Sequence, residues 1–382
     1  MQMQSKLPHI GTTIFTVVSQ LASEHGAINL GQGFPDFSAP ARLLEETSRA
    51  MFSGLNQYAP MSGIAPLRQA IAQKVRDSYG VSVDAETEIT ITSGATEAIF
   101  NAIHALVRAG EEIIILDPAY DCYVPAIELA GAHPVHVPLD SQTFAVNWLK
   151  VKAAITDKTR LLIINSPHNP CGAVLSSEDM QILSDLLLDT HIYLLSDEVY
   201  EHIIYDNVRH ESALMWPLLR QRAFVVSSFG KTYHCTGWKT GFAIAPPALT
   251  EEFRKIHQYN TFSSFAPAQY GFAAMLRDEP QHHQQLSAFY QQKRDRFRAQ
   301  LLQTRLKPLP VAGGYFQLVD YSAISDLPDN EFVRWLIIEK GVAGIPMSAF
   351  YANTPKNQHL LRLCFAKNET TLDAAIERLS AL

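Results

Sequence analysis

The sequence predicts an α/β fold: a mostly parallel sheet covered by helices on both faces, joined to a smaller α+β domain. Three observations lead there. Short, continuously apolar runs recur along the chain, helix-like segments lie between several of them, and the texture changes near Pro280. Strands buried on both faces read as unbroken apolar runs rather than alternating ones. Ligands of such sheets sit at the carboxyl ends of the strands, so the polar residues just beyond each run matter most.

Taken in order, the first clear element is the segment APLRQAIAQKVRDSY (65–79). It sets Leu67, Ala70, Ile71, Val75 and Tyr79 on one helical face. Glu88–Thr92 is strand-like, and Ser93-Gly94-Ala95-Thr96 then opens a helix reaching about Val107. Glu112–Leu116 is a buried-strand run closed by Asp117-Pro118. Val135–Val137, Arg160–Asn165, Ile192–Ser196, Ala223–Ser227 and Gly241–Ala245 repeat the pattern. Ser176, with Asp179 three residues on, reads as a capping pair at a helix start. From Pro280 a long polar helix (280–305) leads into a mixed βαββα tail. The expected division is an N-terminal arm with part of the small domain (1–40), a large ligand-binding domain (41–280) and a small C-terminal domain (281–382).

Composition narrows the function. The 382 residues carry 31 basic and 38 acidic side chains, a net charge of −7 with histidine neutral. Hydrophobic residues make up 47% and charged ones 18%, which excludes an intrinsically disordered chain. The mildly acidic balance argues against a nucleic-acid partner, which would need a basic stripe. The longest apolar run is about five residues, against the roughly 20 of a membrane helix. The opening MQMQSKLPHIGTTIF has no apolar core of signal-peptide length. The expectation is a cytoplasmic protein with no membrane partner. Cys122, Cys171, Cys235 and Cys364 lie too far apart for a C-x-x-C framework and read as reduced, mostly buried residues.

Several motifs can be set aside. Gly31-Gln32-Gly33-Phe34-Pro35-Asp36 lacks the third glycine of a dinucleotide fingerprint, and Pro35 stands where its helix should open. Gly230-Lys231-Thr232 ends like a P-loop, but Val225 replaces the first glycine. The 14 histidines show no metal-ligand spacing, so no metal is expected, and His282-His283 reads as part of a solvated helix face.

Four strand ends carry chemistry. Ser93-Gly94-Ala95-Thr96 offers small residues at a helix N-terminus, a seat for a phosphate. Asn165-Ser166-Pro167-His168-Asn169-Pro170-Cys171-Gly172 is a stiff loop presenting Asn169. Asp197-Glu198-Val199-Tyr200 places two acids beyond a buried strand, where something cationic must pair with at least one. Ser228-Phe229-Gly230-Lys231-Thr232 and Gly237-Trp238-Lys239-Thr240-Gly241 bring lysines toward the same cleft. Singly, each has an ordinary structural reading: a tight turn, a stiff loop, a surface lysine. Together they fit one ligand, pyridoxal phosphate, which needs a phosphate seat, an anion for its ring nitrogen, an amide and a phenol for its ring oxygen, and an amine for its aldehyde.

The blocks N-S-P-H-N-P-C-G, D-E-V-Y and S-S-F-G-K-T…G-W-K-T-G resemble the signature blocks of class I/II aminotransferases of pyridoxal-phosphate fold type I. The resemblance runs from Leu30 to Leu363 and implies a seven-stranded large-domain sheet. It implies that Lys231 bonds the cofactor and shuttles the proton, and that Asp197 pairs with the ring nitrogen. Tyr200 and Asn169 would bond the ring hydroxyl, and Tyr120 would stack on the ring. Ala95, Thr96, Ser228 and Lys239 would hold the phosphate, with Tyr58 reaching the phosphate of a neighbouring subunit in a homodimer with shared sites. Arg362 would grip the substrate α-carboxylate, helped by Asn169 and Gly33.

One position departs from the family pattern: Lys239 stands where arginine is usual, keeping the charge but losing the fork. Gln32-Gly33-Phe34-Pro35 and Asp121-Cys122-Tyr123 look most like the glutamine/kynurenine/methionine branch. The implied reaction is ping-pong transfer from an uncharged, bulky amino acid (methionine, aromatic or glutamine-like) to a 2-oxo acid. The alternative is β-elimination from cysteine conjugates on the same scaffold, which also begins with Cα deprotonation. A third reading, a transcriptional regulator with an aminotransferase-like domain, requires a DNA-binding domain in addition.

Overall fold

The computed structural model describes residues 4–382; residues 1–3, the first of the expected N-terminal arm, lie outside the described residues. In chain order, β1 (Ile28–Asn29) belongs to a small sheet. The seven apolar runs then become β2 (Ile89–Thr92), β3 (Glu112–Asp117), β4 (His133–Pro138), β5 (Thr159–Asn165), β6 (Tyr193–Asp197), β7 (Ala223–Ser228) and β8 (Gly241–Ile244). They form one sheet in the order β2-β8-β7-β6-β5-β3-β4. The strands from β3 to β7 pair parallel, and β8 runs antiparallel to both β2 and β7.

The unbroken apolar runs follow from burial on both faces. Ile113, Ile115, Leu161, Ile163, Leu195, Phe224 and Val226 point to one core layer, under helices Ala95–Leu106, Tyr123–Leu129 and Pro247–Asn260. Their neighbours Ile114, Leu116, Leu162, Ile164, Leu194 and Val225 point to the opposite layer. Successive side chains alternate between faces, so a strand with two dry faces has no polar position to show. Parallel pairing puts the ends of β5, β6 and β7 at one edge. Asn165 and Asp197 are register partners there.

The C-terminal part contains β9 (Lys307–Pro308), β10 (Phe316–Asp320), β11 (Val342–Ala343), β12 (Ile345–Pro346) and β13 (Leu360–Cys364). β12, β13, β10 and β9 make an antiparallel sheet, while β11 pairs parallel with β1. That last pairing ties the N-terminal segment to the C-terminal part of the chain.

Two expectations need correction. The single helix over 280–305 is two: one turn at Gln281–Gln284, then Leu286–Leu301, with Gln285 between them. His282 and His283 do not lie on a solvated face. His282 Nε2 meets the Thr232 carbonyl at 2.9 Å and its ring stacks on Tyr233, while His283 is buried. Burial pushes both imidazoles down, His283 to about 4. The glutamine-rich surroundings read as polar, but this first turn is pinned inward against the loop after β7. The four cysteines are free, three of them buried. No helix among the described residues is long and apolar enough to cross a membrane.

Gly241 shows how tightly the fold builds the cleft. A Cβ there would stand 2.6 Å from the Ser227 carbonyl oxygen and 3.0 Å from the Ala95 nitrogen. Gly241→Ala is therefore expected to destabilise the protein by about 1–3 kcal/mol through overpacking of backbone. A denaturant midpoint equal to wild type would contradict this.

Candidate active site

The carboxyl edge of the large sheet faces β10 and β13 across a cavity of about 310 Å³. Gly33, Ala95, Thr96, Tyr120, Asn169, Asp197, Tyr200, Ser228, Lys231, Lys239 and Arg362 all line it. Tyr58 does not. It is 85% exposed, edge-on to Phe262.

At one end the helix Ala95–Leu106 starts directly after β2. Gly94, at φ 81°, makes the turn, and no side chain caps the first helical turn. Its N–H groups and the positive end of the helix dipole face the cavity beside Ser228. Lys239 has a left-handed backbone, φ 49°, at the end of a short 3₁₀ turn. Its ammonium lies 3.4 Å from where a Cβ on Gly94 would stand, so glycine there leaves room for the lysine. This end can hold a dianionic phosphate.

In the middle, Asp197 ends β6 and is buried. Its Oδ2 accepts the Tyr123 hydroxyl at 2.6 Å and its Oδ1 the Val199 N–H at 3.3 Å. Burial pushes its carboxyl up to about 6. Glu198, the second acid, turns away and bonds His210, the Ser196 hydroxyl and the Ala213 N–H. Glu198 thus meets a histidine at 2.8 Å, while Asp197 has no basic side chain hydrogen-bonded to it. Lys231 sits in the short helix Phe229–Thr232 after β7, and its Nζ donates to the Gly33 carbonyl at 3.3 Å. Burial lowers its amine to about 8.

At the far end Arg362, on β13, is buried. It donates to Asn169 Oδ1 at 2.7 Å and to the Gly31 carbonyl at 3.0 Å, and its Nε has no partner. Phe316 lies under the guanidinium at 3.8 Å, with Phe15 and Phe350 at 5.2 and 5.0 Å. Asn169 is held in turn: its N–H donates to Asn165 Oδ1 at 2.7 Å, and Asn165 Nδ2 donates to the Asp197 carbonyl at 2.9 Å. The peptide bonds Ser166–Pro167 and Asn169–Pro170 are cis.

Several site residues escaped sequence reasoning. Tyr315 donates to the Gly33 carbonyl at 2.6 Å, and its ring lies 5.7 Å from Lys231 Nζ. Phe316 and Asn165 also line the cavity, with Phe15, Gln32, Gly94, Ile99, Val199 and Thr236. Tyr123 stood inside Asp121-Cys122-Tyr123, but nothing local tied it to Asp197, 74 residues away.

These residues fit pyridoxal phosphate on structural grounds. A buried acid has no cation hydrogen-bonded to it, an amine is kept easy to deprotonate, an uncapped helix start faces a lysine, and a buried guanidinium nitrogen is unpartnered. The family model "Aminotransferase class I and II" matches residues 25–379.

The chain belongs to the class I and II aminotransferases.

This aminotransferase is 52% identical over 379 residues to the methionine aminotransferase of Escherichia coli K12, covering 99% of this chain and 98% of that one. It is 34% identical to human kynurenine–oxoglutarate transaminase 3, over 98% of this chain and 89% of the relative. A solved Escherichia coli structure, described as having a methionine aminotransferase function, superposes with a TM-score of 0.98. It is 51% identical and covers both chains fully. The fold is type I of the pyridoxal-phosphate enzymes, and pyridoxal phosphate is the cofactor.

In the cofactor-free aminotransferase, labelling of Lys231 by an amine-reactive reagent should titrate near pH 8, because only the unprotonated amine attacks. Peptide mapping across a pH series measures it. A midpoint near the ordinary lysine value of 10.5 would contradict the burial argument.

Proposed function

We propose that this aminotransferase moves the amino group of an uncharged, bulky amino acid, methionine foremost, to a 2-oxo acid in a ping-pong reaction. One observation carries the reading. Of the three cations lining the cavity, Lys231, Lys239 and Arg362, only Arg362 is placed for the substrate. It serves the α-carboxylate, and among the described residues of one protomer none remains in the cavity for a side-chain carboxylate. The aromatic walls Phe15, Tyr120 and Phe316 suit a thioether or a ring. The methionine aminotransferase and kynurenine transaminase relatives support this.

When bound, pyridoxal phosphate supplies an aldehyde for amine exchange and a ring that takes up the electron density released at the substrate Cα. The chain's own residues do the rest. Ala95, Thr96, Ser228 and Lys239 would hold the phosphate. Tyr120 would cover the ring, and Asn169 and Tyr200 would bond its hydroxyl. Asp197 would keep the ring nitrogen protonated. Lys231 Nζ, part-neutral near pH 7 because of its burial, takes the proton from the substrate Cα. Arg362, with Asn169 and Gly33 beside it, orients that Cα by its carboxylate.

The reading extends to assembly. The molecule is a homodimer with shared sites, in which Tyr58 reaches the neighbouring phosphate. The exposed rings Phe52, Tyr58, Tyr259, Phe262 and Phe265 support this, since such apolar surface is what an interface covers. Residues 1–40 and 281–382 act as one body against 41–280, supported by the β1–β11 pairing and by Lys367 Nζ donating to the Phe34 carbonyl at 2.8 Å. Four free thiols suit the reducing cytoplasm.

A half-reaction screen of amino donors, read by the change in cofactor absorbance, should place methionine and phenylalanine far ahead of aspartate. The reverse order overturns the donor class, and 2-oxo acid and ammonia formed from a cysteine conjugate in many-fold excess over enzyme without any acceptor would indicate elimination instead. Arg362→Ala should raise the Michaelis constant about ten- to a hundredfold, the scale of lost charge-assisted bonds, with less effect on kcat. An unchanged Michaelis constant would mean another group anchors the carboxylate.

A further inference from the structure

Among the described residues Asp197 is the one acid that lines the cavity, and its side chain has two donors. The Val199 N–H is at 3.3 Å, while the Tyr123 hydroxyl is at 2.6 Å on the other oxygen. Tyr123 opens the helix Tyr123–Leu129, is buried, and lies edge-on to Tyr120, the ring-stacking candidate. We propose that Tyr123 is a positioning residue for transamination: its hydroxyl fixes the Asp197 carboxylate as an anion aimed at the ring nitrogen, and so sets how strongly the site draws electrons.

The neighbours leave this task to Tyr123. Glu198 is turned to His210, Ser196 and Ala213, and the Lys231 amine bonds Gly33. Cys122, Tyr120 and Tyr200 also face Asp197, and burial keeps each of them protonated and neutral. Burial likewise raises the Tyr123 phenol, so it donates rather than accepts. A phenylalanine would fill the same volume, so packing alone does not call for the hydroxyl.

The consequence is a shared proton. A carboxylate that loses a buried donor binds a proton more tightly. The proton between Asp197 and the ring nitrogen then moves toward Asp197, and the ring withdraws electrons less. This inference rests on the reading that Asp197 faces the ring nitrogen, and the test separates the two.

The test compares holoenzymes carrying Tyr123→Phe, 3-fluorotyrosine at position 123, and Asp197→Ala. Tyr123→Phe should lower kcat about ten- to a hundredfold, the range of one bond to a charged group, with the Michaelis constant within about twofold. The pH midpoint of the cofactor's visible band should move upward. Fluorotyrosine, a stronger donor, should move that midpoint downward, and it decides the matter alone if the phenylalanine variant does not fold. Wild-type kcat and midpoints in both variants, with Asp197→Ala inactive, overturn the role of Tyr123. Wild-type turnover in Asp197→Ala overturns the reading beneath it.

Discussion

The structure turns on a carboxylate kept almost entirely out of water. Asp197 is delivered to the carboxyl edge of the sheet by β6, between β5 and β7, and burial there disfavours its charge. An isolated anion in such a place is expensive. The fold tolerates it with two donors, the Tyr123 hydroxyl and the Val199 N–H. The same burial lowers the Lys231 amine, so one dry environment shifts acid and base toward each other and toward neutral pH. Neither shift requires a special residue type; both follow from strands buried on two faces.

A second constraint links the two parts of the chain. Arg362 comes from β13 and Asn169 from the loop after β5, and their bond spans the cavity. Gly31 and Gly33, from the N-terminal segment, offer their carbonyls to Arg362, Lys231 and Tyr315. A Cβ on Gly33 would come within 2.8 Å of the Phe316 ring, so the segment passes closely enough only as glycine. The polar groups of the site therefore hold one another in place. The guanidinium keeps its Nε unpartnered while the rings of Phe15, Phe316 and Phe350 surround it.

Much of this was legible in the sequence, for a physical reason. Strands buried on both faces must be continuously apolar, which is how β2, β3, β5, β6, β7 and β8 showed in the sequence, while β4 at the sheet edge is only partly buried; the residues just beyond several of these strands line the cavity. Eleven of the twelve candidate site residues line a single cavity. What stayed hidden depended on distance along the chain. Tyr123 and Tyr315 act on Asp197 and Gly33 through contacts across 74 and 282 residues, and no local pattern signals such pairs. His282 and His283 misled because a polar neighbourhood in sequence is not a wet neighbourhood in space. Their turn docks on Thr232 and Tyr233.

The cavity wall has one more implication. It is assembled from nine stretches, around residues 15, 32–33, 94–99, 120, 165–169, 197–200, 228–239, 316 and 362, which meet only when the large sheet, the C-terminal sheet and the N-terminal segment are in place. A partly folded chain has no such enclosure to offer. Vitamin B6 thus recognises the finished molecule alone and stabilises it by mass action, by roughly 2.7 kcal/mol at a free concentration a hundred times its dissociation constant.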